Sequence, residues 1–340
     1  MDSYWRGPFP PPAGSWYATG THAHVEHTSI FHPSIATATM KSLRPRAPLS
    51  WIVPLLLWCA TVVPIAAQTP LRFFVSVDME GIGGIGTGAM TRTGGKDYEL
   101  SRRLATAEVN TVVEAILSRH PDALILVNDS HGDMQNLLHL ELDPLVAYIQ
   151  GSRKPLGMVQ GLEVDYAGAF FLGYHARAGD LDGFLAHTGT GAVKGLWLNG
   201  VEVGEGGLNA AFAGSLGVPV LLAAGDSAFA REIAALTDPV TVVTKVAVTP
   251  ASARLLHPEV VRDRLRAGVG RALDRRTGLR PWRVQEPVEV RLRFDGTLRP
   301  DILEAIPEVS RVDGYTVAFT APDMDRAYRM IRLMYRYISE

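Results

Sequence analysis

Cysteine is almost missing from this chain. One residue, Cys59, occurs in 340, so no intrachain disulfide can form and a thiolate zinc cluster is excluded. Any metal must be held by histidine and carboxylate. An excess of one charge is missing too, because 33 basic residues face 35 acidic ones and the formal net charge is −2. That balance gives no electrostatic footprint for nucleic acid or an anionic membrane. No internal repeat is present. With 47% hydrophobic and 20% charged residues, collagen-like, coiled-coil and broadly disordered classes are excluded. A chain of this length can bury a large core, in one large domain or two.

The first 67 residues read as something other than fold. Residues 1–39 are rich in Pro, Gly, Ser, Thr and His without apolar periodicity, and form an expected disordered extension. Met40 opens a different pattern and is a candidate true start. Lys41, Arg44 and Arg46 make a positive n-region, residues 51–67 an apolar stretch, and Ala66–Ala67 a small-residue end. This is the pattern of a signal peptide over 40–67, and it implies export to the periplasm or the extracellular space. Pro54 and Pro64 and the short length argue against a lasting membrane span, although an uncleaved segment would anchor the chain. Removal of residues 1–67 leaves 273 residues, with 29 basic against 33 acidic side chains and no cysteine.

From residue 68 onward, strand and helix patterns alternate. The runs 72–79, 123–128, 168–174 and 218–224 are almost continuously apolar, as strands covered on both faces are. Helical spacing is read over 97–118, 206–216 and 228–236. Residues 196–203 read as a hairpin turning at Asn199-Gly200. The expected class is α/β, a mostly parallel sheet with helices on both faces, over 68–250. Beyond it, 258–274 reads as a basic amphipathic helix and 288–294 (VEVRLRF) as a half-exposed alternating strand. A helix at 300–305, a strand at 314–319 and a final helix at 323–338 complete a smaller α+β domain expected over 251–340.

Polar residues gather where these strands end, which is where open α/β sheets bind ligands. The first strand runs out into Asp78 and Glu80, two apart and so on one side of an extended chain. Two such carboxylates repel unless a cation sits between them. The second strand ends near Asp129 and His131, the third at His175, the hairpin at Glu205, and the strand 218–224 at Asp226. Asp129 and Asp226 are most simply turn formers or helix caps. His120 and His139 read as surface residues and His257 as a loop residue. Two histidines with three carboxylates and no cysteine suit zinc first and manganese second. Five ligands exceed what one tetrahedral ion needs, and one bridging carboxylate would let them serve two ions.

The motifs SVDMEGI (76–82), NDSH (128–131), GYHA (173–176), AH (186–187) and VGEGGLNA (203–210) occur in this order, each at an element end. Together they resemble the bacterial D-aminopeptidase family, zinc peptidases that release N-terminal D-amino acids from short peptides. The resemblance runs from about residue 72 to the C-terminus. It implies Asp78 as the bridge between two zinc ions, Glu80 and His131 on one, and His175 and Glu205 on the other. It implies His187 as the catalytic histidine, close to the metals but not bound to them, and a large ring-shaped homo-oligomer. The Gly-rich segment 81–95 departs from the family pattern, and export is not implied by the resemblance.

Two zinc ions acidify a bridging water and polarise a peptide carbonyl, so the expected reaction is attack by a metal-bridging hydroxide, with His187 stabilising the oxyanion or protonating the leaving amine. Lys245 and Asn209 are candidates for substrate contact. The competing readings are another two-metal amidohydrolase or phosphoesterase, and an exported protein that binds peptides without cleaving them.

Overall fold

Five buried residues in a row, Phe73 to Val77, run through the first strand: Phe73, Phe74, Val75 and Val77, with the small Ser76, point to both faces and leave no side for water. The computed structural model describes residues 69–337. The extension 1–39, the signal-peptide expectation and Cys59 lie outside the described residues.

Among the described residues, twelve strands and six α-helices follow in chain order. They are β1 (Arg72–Val77), α1 (Tyr98–Arg119), β2 (Leu124–Asp129), β3 (Val146–Ile149), β4 (Tyr166–Tyr174), β5 (Val193–Leu198), β6 (Val201–Glu202), α2 (Glu205–Ser215), β7 (Val220–Asp226) and α3 (Ser227–Leu236). Then come β8 (Val240–Thr249), β9 (Ser252–Leu255), α4 (Pro258–Arg275), β10 (Val288–Phe294), α5 (Leu298–Leu303), β11 (Ser310–Arg311), β12 (Thr316–Ala321) and α6 (Met324–Arg332), which continues as a π-helical turn, Leu333–Tyr337.

The first sheet has seven strands in the order β3-β2-β1-β4-β7-β8-β9, parallel except for β9. From β1 the chain steps outward to β2 and β3, then returns to place β4 on the other side of β1. The order therefore reverses between β1 and β4, and a crevice opens beyond their carboxyl ends. One face of this sheet buries Phe73, Val75 and Val77 with Val112, Ile116, Leu265 and Val269 of α1 and α4. The other buries Phe74 and Phe171 with Leu208 of α2, Phe229 of α3 and Ile331 of α6. The α/β class with helices on both faces is what the sequence predicts.

The second sheet is antiparallel, ordered β11-β12-β10-β5-β6. Strict alternation in β10 puts Val288, Val290, Leu292 and Phe294 inside and the residues between them outside. Asn199 and Gly200 both have positive φ, 47° and 81°, as the two-residue turn between β5 and β6 requires. The sequence boundary at 250 needs correction. It falls in the turn of the β8–β9 hairpin of the first sheet; α4 packs into that sheet's core, whereas β5 and β6, well before 250, pair with β10. Pairing across long sequence separations is invisible to a boundary read from local composition. The final helix runs over the expected range within the described residues, turning to π geometry after Arg332. Among the described residues, no helix is long and apolar enough to cross a membrane.

Candidate metal centre

The adjacency β2-β1-β4 delivers three side chains to one place. Asp78 follows β1, His131 lies two residues beyond β2, and His175 follows β4. Close backbone contact fixes the β1 and β4 ends. The Gly81 amide donates to the Gly173 carbonyl at 2.7 Å, and Asp78 donates its amide to Leu172 at 2.8 Å. Gly173 adopts φ +72°, and a Cβ there would stand 2.1 Å from the Asp78 carbonyl oxygen; a Cβ on Gly81 would meet the Tyr174 carbonyl at 2.0 Å. Any larger residue at either position would push the two strand ends apart.

Asp78 sits at the centre. Its Oδ1 lies 3.0 Å from His131 Nδ1 and its Oδ2 3.4 Å from His175 Nε2. Glu80 Oε2 stands 3.0 Å from the same His131 nitrogen, and Glu205, the first residue of α2, places Oε2 3.6 Å from His175 Nε2. All three carboxylates are at most 7% exposed. Both imidazoles are oriented from behind. His131 donates Nε2–H to the Thr91 carbonyl at 2.7 Å, and His175 donates Nδ1–H to the Ala176 carbonyl at 2.9 Å. Each ring therefore turns its other nitrogen toward the carboxylates, the tautomer and orientation that metal-ligating histidines take from outer partners.

Without a metal this is a costly arrangement. Burial and the neighbouring Glu80 push Asp78 up to about 7. Burial opposes ionisation of Glu80 as well, yet the adjacent His131 outweighs it and holds Glu80 well below the usual range. Glu205 is likewise penalised by burial and held down at about 2 by His175. Both histidines rise well above their ordinary value, since the carboxylates overcome the cost of burying their charge. Asp78 Oδ2, Glu80 Oε2 and His175 Nε2 are buried with no hydrogen-bond partner. An unsatisfied buried polar atom costs about 1–3 kcal/mol, and ligand atoms of these three residues lie within 4.8 Å of one another, so cations bound among them would satisfy them. The donor set of carboxylate oxygens and imidazole nitrogens fits zinc.

Among the described residues, two groups have ligand atoms within 4.8 Å of one another: Asp78, Glu80 and His175, and His175, His187 and Glu205. His187 thus belongs to one cluster, although the sequence reading sets it apart from the ligands. Its ring stacks on that of His175, 4.1 Å between centroids, and its Nε2 is 3.6 Å from Glu205 Oε1. Its Nδ1–H donates to the Leu185 carbonyl, and the side chain is 29% exposed, lining the cleft over the centre together with His131.

Two sequence-read candidates are corrected. Lys245 does not face substrate. It is 1% exposed, donates Nζ–H to the carbonyls of Glu80 and Ile85, and lies over the Phe184 ring. Asn209 is 0% exposed, donating to the Tyr174 hydroxyl at 2.9 Å and accepting from Tyr328 at 2.6 Å. A polar residue in a helical or strand pattern does not declare which face it takes. Asp129 and Asp226 are the turn and cap formers expected: Asp129 accepts from the Asn136 and Leu137 amides, and Asp226 caps α3. His257, read as a loop residue, caps α4. His120 is half-buried against Phe73 and His139 is exposed.

Sequence reasoning missed three things. The Gly-rich segment supplies the Thr91 carbonyl that orients His131, and is itself held by Lys245 and by Glu108, which accepts from the Gly83 amide. Polar positions inside apolar strands were the available signal for a second: Ser76 bonds Ser130 and Tyr174, linking β1, β2 and β4 beneath the site. The third is a cleft of about 100 Å³ over the centre, whose lining includes Arg332, Tyr335 and Arg336 from the last described helical turns.

A family model described as D-aminopeptidase matches residues 71–333. A D-aminopeptidase of Bacillus subtilis (strain 168) is 34% identical over 267 residues, which cover 78% of this chain and 96% of that protein. A solved structure of the Zn-dependent D-aminopeptidase DppA from Bacillus subtilis, described as a self-compartmentalizing protease, matches with a TM-score of 0.75 at 33% identity, covering 78% of this chain and 96% of that one.

Proposed function

The chain belongs to the D-aminopeptidase family, and from that premise we propose that it is a two-zinc aminopeptidase removing N-terminal D-residues from short peptides. The observation that carries this reading is the trio of buried, partnerless atoms on Asp78, Glu80 and His175, set between imidazoles already turned toward them. Asp78 presents one oxygen to each histidine and is the residue able to bridge. Glu80 and His131 would complete one zinc site and His175 and Glu205 the other. Zinc held there supplies Lewis acidity toward a peptide carbonyl and toward water. His187 has its Nε2 at the cleft and its Nδ1 proton fixed on Leu185, so Nε2 is the atom that would accept a proton and pass it to the leaving amine. Preference for D over L rests on the family relationship.

Metal analysis of purified protein, with hydrolysis followed on matched D- and L-dipeptides, tests the reading. Two zinc ions per chain and cleavage confined to D-residues are expected. Metal-replete protein that cleaves neither would overturn it.

We further infer that residues 40–67 direct export and are removed after Ala67, on the strength of the n-region, apolar stretch and small-residue end. N-terminal sequencing of exported protein should begin near Gln68; retention of Met40 would refute it. Ring-shaped self-assembly is the third part of the proposal; the self-compartmentalizing description of the solved relative supports assembly, and the ring shape rests on the family resemblance. Light scattering should give a mass of many chains, and a monomer would refute it.

A further inference from the structure

The cleft over the centre joins anionic and cationic lining. Asp78 and Glu205 contribute carboxylates, and Arg332 and Arg336 contribute guanidinium groups, within about 100 Å³. The two arginines differ in how they are held. Arg332 is 3% exposed and built into its place: it donates to the Lys154 carbonyl at 3.2 Å, reaches the Tyr335 hydroxyl at 3.3 Å, and lies 5.7 Å from the centre of the Tyr335 ring. Gly157 leaves room for it, since a Cβ there would stand 2.4 Å from the guanidinium carbon. Arg336, one helical turn on, is exposed, and its hydrogen-bond partner among the described residues is the neutral carbonyl of Gly132 at 2.8 Å. Gly132 follows His131, so this guanidinium sits beside the metal-binding residues.

Core packing does not require Arg336, and a carbonyl uses only part of a five-donor fork. A planar fork matches a carboxylate bidentately, which an ammonium cannot do. In a cleft this small, the anionic group nearest to the scissile amide of a dipeptide is its own C-terminal carboxylate.

We propose that Arg336, backed by the buried Arg332, binds the free C-terminal carboxylate of the substrate, so that the enzyme selects unblocked dipeptides. This rests on the peptidase reading above and adds a specificity determinant to it. The π-helical turn that ends the described residues is then part of the substrate site, brought beside Gly132 from 204 residues away in sequence.

The test compares a D,D-dipeptide with its C-terminal amide on zinc-loaded full-length protein. The free acid should be preferred by about 10–100-fold in kcat/KM, the worth of a charge-assisted hydrogen bond, with the difference mainly in KM. In Arg336→Ala this preference should collapse toward unity while zinc content stays at the wild-type level. Arg336→Lys, which keeps the charge and loses the fork, should fall between. Wild-type protein that cleaves acid and amide equally well would overturn this proposal and leave the peptidase reading standing. So would an Arg336→Ala variant with full zinc and undiminished preference. Protein with full zinc that cleaves neither substrate would overturn both. Should the alanine variant fail to fold, the wild-type comparison and the lysine variant decide the question.

Discussion

Replacing Asp78 by asparagine should make the metal-free protein more stable and the zinc-loaded protein less stable. Asp78 is 2% exposed, and its carboxyl is raised from 3.8 to about 7 by burial and by Glu80. Each unit is worth about 1.4 kcal/mol, so keeping Asp78 ionised in the empty site costs roughly 4 kcal/mol. Asparagine removes that charge yet keeps an oxygen for the Met79 amide, which Asp78 now accepts at 2.9 Å. Some of the gain is lost with the charge-assisted bond to His131, leaving about 2–3 kcal/mol. The sign with pH is fixed: the folded pKa lies above the unfolded one, so metal-free wild-type protein binds the extra proton and loses stability as pH rises from about 4 to about 7. The advantage of the variant should be full at pH 8 and small at pH 5. Zinc reverses the order, because ligand at about 1,000 times its Kd stabilises wild-type protein by about 4 kcal/mol, and the variant should lose most of that. Thermal unfolding with EDTA and with zinc, at both pH values, measures all four quantities. At about 2–4 °C per kcal/mol for a domain of this size, the shifts are readily resolved. A metal-free Asp78→Asn protein that melts below metal-free wild type at pH 8 would refute the crowded-carboxylate argument.

His187→Ala should retain zinc and lose about 10²–10⁴-fold in kcat, as removal of a proton-transfer group does; a drop to one zinc per chain would instead make His187 a ligand. Lys245→Met should weaken zinc binding by about 10–100-fold, because the lysine holds the Glu80 carbonyl, and should leave KM for substrate at the wild-type value when zinc is saturating. A raised KM with unchanged zinc affinity would restore Lys245 to the substrate. Asn209→Ala leaves the Tyr174 and Tyr328 hydroxyls short of a partner and should lower stability by about 2–4 kcal/mol in denaturant unfolding, with acid-over-amide preference unchanged.

Reading this chain from sequence succeeds where the physics is local. Apolar runs with β-branched and aromatic residues mark β1, β2, β4 and β7, because a strand covered on both faces has no polar side to break the run. Alternation marks β10, and Asn199-Gly200 marks the β5–β6 turn, since those two residues accept positive φ. Asp226 before α3 reads as a cap and is one. The metal-binding residue types at strand ends are legible for a related reason. Carboxylates and histidines are costly to bury, so several at consecutive element ends imply a common ligand.

What the sequence could not determine is which of those ends are neighbours, and which way each side chain turns. The order β2-β1-β4 makes Asp78 central, with a histidine on each oxygen, and no local pattern encodes that order. Lys245 and Asn209 look like the other polar residues near the site until packing puts both inside, because their carbonyl and hydroxyl partners lie far away in sequence. Arg336 meets Gly132 across 204 residues. Local propensity fixes a residue's element, and chain folding across such distances fixes its partners; chemistry at this centre depends on the partners.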